Sequence, residues 1–233
     1  MNVLTRKFAE SPLLARVAPF FIFLALTFCQ GQFGESSRYW FYLLKTLVGL
    51  WLILMMRPFV AEMRWVFSWE AIGVGILIFI IWVGIDKWYP TLDQIFQRFG
   101  WSHAKAEKLW NPHDQFGRNS MLAWWFIVVR LFGSALVVPP LEEVFYRSFL
   151  YRYIARPDFE TVPLGQFLLK PFLITAAIFG FVHAEWLAGV LCGLAFQGLV
   201  VKKKRLGDAM SAHAITNLLL GLWVIWKGDW KFW

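Results

Sequence analysis

The chain is short of charge. Only 16% of its 233 residues are Asp, Glu, Lys or Arg, where an ordinary soluble domain carries about 25%. Its residues are 59% hydrophobic and gathered in blocks long enough to cross a bilayer, which leaves a polytopic membrane protein. Cysteine is almost missing. Cys29 and Cys192 both lie inside apolar blocks, which argues against a disulfide framework and against a cysteine-based metal site. There is no Gly-x-Ser-x-Gly elbow and no His-Glu-x-x-His helix, and neither cysteine has an adjacent base, so three common hydrolase patterns lack their parts. The net charge of +8 comes from Lys and Arg at the ends of apolar blocks, where orientation signals belong. No stretch supplies the basic face of a soluble module that nucleic acid would need.

What is present is a series of apolar blocks. The first, about 17–33, follows Arg6, Lys7 and Arg16 and has no small-residue cleavage site at Thr27-Phe28-Cys29-Gln30, so it reads as a retained span. A second covers about 40–56, with Lys45 near enough to an end to snorkel. A third covers about 71–88, where Gly73, Gly75 and Gly84 predict close helix contact. Residues 89–119 are mixed polar, charged and aromatic, and read as one long loop with short amphipathic helices at the interface. Its His103 and His113 read as solvated loop histidines. Further blocks cover about 121–138, 168–184, 187–201 and 208–226, with Gly189 and Gly193 spaced for close backbone approach. The expected fold is all-α, a polytopic integral membrane protein of about 7–8 transmembrane or re-entrant helices. Residues 1–120 supply N-terminal helices and the interfacial loop, and 121–233 a helical core, in one continuous membrane domain.

After the fourth block, opening a helix that continues to about Ala155, stands Pro139-Pro140-Leu141-Glu142-Glu143-Val144-Phe145-Tyr146-Arg147. Ionisable side chains in hydrocarbon cost roughly 2.5–3.5 kcal/mol each, so such a cluster marks a functional site by default. The two prolines predict a break or kink, with the carboxylates opening the next helix and gaining from its macrodipole. On a helix Glu143 and Arg147 are one turn apart and can pair, while Glu142 points about 100° away and stays free for chemistry. The alternative is a surface helix with a solvated Glu/Arg face.

Two of the four histidines decide between these. His183 follows Phe179 by four residues, so the ring can orient the imidazole, and His213 precedes Asn217 by four, on one helix face. Complementary polar groups on three helices share a burial cost that implies a water-filled cavity. A carboxylate and an imidazole can take the proton of an attacking water, and a second imidazole with an amide N–H can stabilise the resulting oxyanion. Glutamate with two histidines could also bind zinc, against which stands the missing His-Glu-x-x-His helix. Simple antiparallel threading puts His183 and His213 at opposite ends of their helices, so a shared site requires tilt, a short helix or a re-entrant segment.

Glu142-Glu143-x-x-x-Arg147, Phe179-x-x-x-His183 and His213-x-x-x-Asn217, in this order over about 131–221, resemble the CAAX-processing and bacteriocin-processing intramembrane proteases (CPBP, the type II CAAX endopeptidase or ABI family). That resemblance implies glutamate-dependent proteolysis without metal or other cofactor, in the bacterial cytoplasmic (inner) membrane. It makes Glu142 the base that activates water with help from His183, and His213 and Asn217 the oxyanion site. Glu143, Arg147 and Phe179 become supporting residues. The partners implied are the lipid bilayer and a membrane-embedded or lipid-anchored protein or peptide substrate. The N-terminal region and the 89–119 loop lie outside the shared core and could mark the subgroup associated with bacterial exosortase sorting systems. The competing reading is a non-catalytic scaffold, immunity or transport protein using the same residues as a structural polar network. Counting Lys and Arg puts the N-terminus, 57–64, 147–156 and 202–205 on one side, expected to be cytoplasmic.

Overall fold

Small polar residues punctuate the apolar blocks and set where the helices begin. The computed structural model describes residues 3–101 and 109–233, so His103 lies outside the described residues. After α1 (Val3–Glu10), Ser11 caps α2 (Pro12–Phe28) by accepting from the Leu14 amide, with Pro12 at the first helical position. α3 is Ser37–Met56, and α4 (Trp69–Ile85) opens at Ser68, whose hydroxyl accepts from the Ala71 amide. The loop carries two short helices, α5 (Leu92–Arg98) with a Thr91/Gln94 capping box and α6 (Pro112–Phe116) behind Asn111. Ser120 opens α7 (Met121–Ala155). The chain ends with α8 (Leu169–Phe181), α9 (Trp186–Lys203) and α10 (Gly207–Lys227), the last closed by Gly228 in the left-handed region. Among the described residues there is no strand.

Among the described residues five helices are long and apolar enough to cross a membrane: α3, α4, α7, α9 and α10; α2 and α8 are shorter apolar helices. The protein is therefore an all-α polytopic membrane protein, with seven apolar helices among the described residues where about 7–8 were expected.

The double proline does not start a new helix. α7 runs through it, because its backbone widens to i→i+5 bonding over Gly133–Val137 and again over Val144–Leu150. Glu142 and Glu143 thus sit mid-helix, and the expected macrodipole contribution at an N-terminus does not apply. Lys45 does not snorkel either. It is only 7% exposed, with Nζ donating to Thr27 Oγ1 at 3.1 Å between the rings of Phe23 and Tyr42. Arg130 is held by aromatic faces, its guanidinium 4.4 Å from Trp110 and 4.8 Å from Tyr42.

α8 and α9 pack so closely that a Cβ at Gly193 would lie 2.9 Å from the Ala176 Cα, as their spacing predicted. α10 runs against α4 and α9, and α2 against α3. The core they enclose includes Tyr146, Phe179, Phe196 and Leu206, and it surrounds Arg147.

Candidate active site

The two adjacent glutamates occupy different environments. Glu143 faces the bundle interior with its side chain 0% exposed, and its Oε2 is 3.2 Å from Nε of Arg147, which is equally buried. The guanidinium face lies 4.4 Å from the Phe179 centroid, while Nη1 and Nη2 meet no acceptor among the described residues. The compensation of this buried cation is therefore one carboxylate and the surrounding aromatic rings, Phe179 nearest, with Tyr146 at 5.6 Å and Phe196 at 5.9 Å. Glu142, 19% exposed in its side chain, points elsewhere, with Oε2 4.0 Å from Nε2 of His213.

His213 stands between the two carboxylates. Its Nδ1 is 2.9 Å from Oε1 of Glu143. A carboxylate only accepts, so the assigned tautomer carries its proton on Nδ1 and turns Nε2 toward Glu142. The rings of Phe196 at 5.2 Å and Phe179 at 6.0 Å fix the imidazole plane.

His183 lies just past the end of α8 rather than within it. Helix C-termini leave carbonyls without intrahelical donors, and the Phe179 carbonyl accepts from His183 Nδ1 at 2.7 Å. That bond leaves the Nε2 lone pair free. Phe179 packs at 5.0 Å and Trp82 edge-on at 5.6 Å. The turn is tied to the long loop by Leu92 N donating to Ala184 O at 3.0 Å and Trp186 Nε1 donating to Pro90 O at 3.1 Å. Burial pushes the His183 imidazole below its ordinary pKa, against the charge of Glu142, which acts the other way. Phe179 touches both histidines, and the 13-residue α8 is short enough to bring His183 and His213 together.

Asn217 has a local explanation. In the widened turn of α7 the Val138 N–H bonds the Gly133 carbonyl. In that register the Ser134 carbonyl would bond residue 139, a proline without an N–H. Asn217 Nδ2 donates to that carbonyl at 2.9 Å, with one of its two amide hydrogens. Pro139 thus creates the acceptor that docks α10 onto α7 beside the carboxylates.

Sequence reading missed a second polar cluster behind the site. Arg16 donates through Nη2 to Glu62 Oε1 at 2.9 Å and through Nε to Ser148 Oγ at 2.9 Å, and Ser148 donates to Glu62. Burial alone would raise the Glu62 carboxyl, but the Arg16 charge and the Ser148 hydrogen bond outweigh it and hold it below the ordinary range. Glu62 is the lone acid in a basic, aromatic loop, which was the available signal. His113 differs from its expected solvated state: its ring is half-buried against Trp124 at 5.3 Å and Trp230 at 5.6 Å. Among the described residues no three His, Cys, Asp or Glu side chains converge in a group that could hold a metal ion.

Residues 123–219 match the model of a family described as Type II CAAX prenyl endopeptidase Rce1-like. The stretch contains Glu142, Glu143, Arg147, Phe179, His183, His213 and Asn217. No curated protein and no solved structure matches the chain.

Proposed function

We propose, on the match of residues 123–219 to the Rce1-like type II CAAX prenyl endopeptidase model, that this chain cleaves a peptide bond by water activated at Glu142 and His183. The substrate is a membrane-embedded or lipid-anchored protein or peptide. The observation that carries this reading is the asymmetry of the carboxylates. Glu143 is committed to Arg147 and His213, whereas Glu142 is partly exposed with no ion pair closer than 4.0 Å.

The chemistry follows from the free lone pairs. Glu142 takes a proton from water while His183 Nε2, acceptor in its assigned tautomer, orients it. The hydroxide adds to the scissile carbonyl carbon and the carbonyl π pair becomes an oxyanion. The second amide hydrogen of Asn217 donates to that oxygen, and His213 Nε2 does so when it carries a proton. Collapse breaks the C–N bond, and the proton held by Glu142 passes to the leaving amine. Glu143, Arg147 and Phe179 keep His213 and His183 in register.

The scaffold reading also has an observation behind it, since the Asn217–Ser134 and His213–Glu143 bonds brace the bundle in any case. Glu142→Gln separates the two. The change is nearly isosteric and removes only the base, so the variant should insert and melt like the parent while turnover falls by about 10²–10⁴-fold. His183→Ala should lose activity comparably, and His113→Ala should not. Near-normal turnover by Glu142→Gln, measured on a lipid-anchored peptide, would remove Glu142 from the mechanism.

A further inference from the structure

A cavity of about 590 Å³ lies on the loop between α3 and α4, lined by Arg57, Pro58, Val60, Ala61, Met63 and Arg64. Its volume lies within the roughly 300–1,000 Å³ of small-ligand sites. We propose that this loop binds the phosphate headgroup of an anionic phospholipid.

Three observations converge. The first is charge. The loop's one acid, Glu62, turns its carboxylate inward to Arg16 and Ser148, so the lining carries two guanidinium groups and no carboxylate. Arg57 and Arg64 are exposed and have no ion-pair partner among the described residues. A planar guanidinium offers paired donors to phosphate oxygens.

The second is depth. The loop joins the ends of two helices long and apolar enough to cross a membrane, which puts it at a bilayer surface. Trp65, Phe67 and Trp69 are exposed beside it, Trp69 by 86%, and the rings of Trp65 and Phe67 stack at 6.2 Å. Exposed aromatics at span ends lie at headgroup level, where phosphates are the abundant anion.

The third is preorganisation. A Cβ at Gly207 would lie 2.1 Å from the Arg64 carbonyl, so the loop is seated against the first turn of α10. Glu62 ties its middle to Ser148 of α7. The two arginines are thus presented from a fixed backbone, and a bound headgroup would bear on the helices that carry His213 and Arg147.

The test uses the full chain in an uncharged detergent with three probes: dihexanoyl-phosphatidylglycerol, dihexanoyl-phosphatidylcholine and inorganic phosphate. Binding is read by thermal shift and by retention in native mass spectrometry. The phosphatidylglycerol should bind at least about tenfold more tightly than either other probe. Arg57→Gln with Arg64→Gln should lower that affinity by about tenfold or more, and the charge-matched pair Lys7→Gln with Arg156→Gln should change it less than about twofold. Equal binding of the two lipids overturns the proposal. So does equal binding of inorganic phosphate, which would make this an ion site, and so does an equal loss in the control pair, which would reduce it to general surface charge. If the double arginine variant does not fold, the lipid comparison on the parent protein decides.

Discussion

Arg147 tests whether the centre of the site is held together as the structure indicates. Arg147→Met keeps most of the side-chain volume and removes the guanidinium. It leaves Glu143, fully buried, with His213 Nδ1 as its remaining partner at 2.9 Å. Breaking a buried pair by removing one partner costs about 3–5 kcal/mol, because the other charge is stranded. The cation–π contact with Phe179 at 4.4 Å is lost in the same change, so the upper half of that range is expected. For a chain of this size each kcal/mol is worth about 2–4 °C, so a loss of about 4–5 kcal/mol gives a fall of about 8–20 °C in detergent melting temperature. Glu143→Gln strands Arg147 instead, while its amide oxygen can still accept from His213, and should cost a comparable amount.

The double variant, Glu143→Gln with Arg147→Met, leaves neither charge alone. It should be at least as stable as the weaker single variant, giving a coupling of at least about 2 kcal/mol in the double-mutant cycle. Melting of the parent and the three variants in one detergent measures it. Losses that add to within about 0.5 kcal/mol would refute the pairing and direct Arg147 toward some other group.

Two further outcomes are expected. Activity should survive exhaustive treatment with chelators, since the mechanism proposed for Glu142 needs only water; loss restored by stoichiometric zinc would instead make Glu142, His183 and His213 ligands. Glu62 should make stability depend on acid. Its folded-state pKa is depressed below the usual 4.5, so its contribution is present above that value and is lost as pH falls through the folded value. The stability gap between the parent and Glu62→Gln, followed by melting from pH 7 downward, should hold until about 4.5 and close below it; a gap independent of pH would deny Glu62 its ionised pairing with Arg16.

The elements legible in the sequence were those fixed by local rules. Seven apolar helices followed from block length, and the Glu143–Arg147 pairing from one helical turn of spacing. The close α8–α9 contact followed from the small residues Gly189 and Gly193. What failed was where a second element changes the local outcome. Pro139-Pro140 ends an isolated helix, but an i→i+5 turn lets α7 continue, and Asn217, 83 residues beyond Ser134, satisfies the Ser134 carbonyl left over. Lys45 could reach an end of its helix, but Thr27 and two aromatic rings hold it in the interior. The His213–Glu143 bond spans 70 residues, and no spacing rule reaches that far.

The stretch that matches the family is not a self-contained site. Residues next to each of its functional groups rest on helices outside 123–219. Thr216, beside Asn217, donates to the Gly75 carbonyl of α4 at 2.9 Å. Ala212, beside His213, lies so near α4 that a Cβ at Gly75 would be 2.8 Å from its carbonyl oxygen. Ser148, beside Arg147, is bonded to Arg16 of α2, and the His183 ring meets the edge of Trp82 on α4. On α7 the turn before the carboxylates is met by α3, where a Cβ at Gly49 would lie 2.6 Å from Val137. The proposed chemistry would need its groups held within about 0.5 Å, and these contacts brace α7 and α10 toward that requirement. The change in sequence character near residue 120 therefore marks where the family match and the candidate site begin, while the packing that holds that site comes from both sides of it.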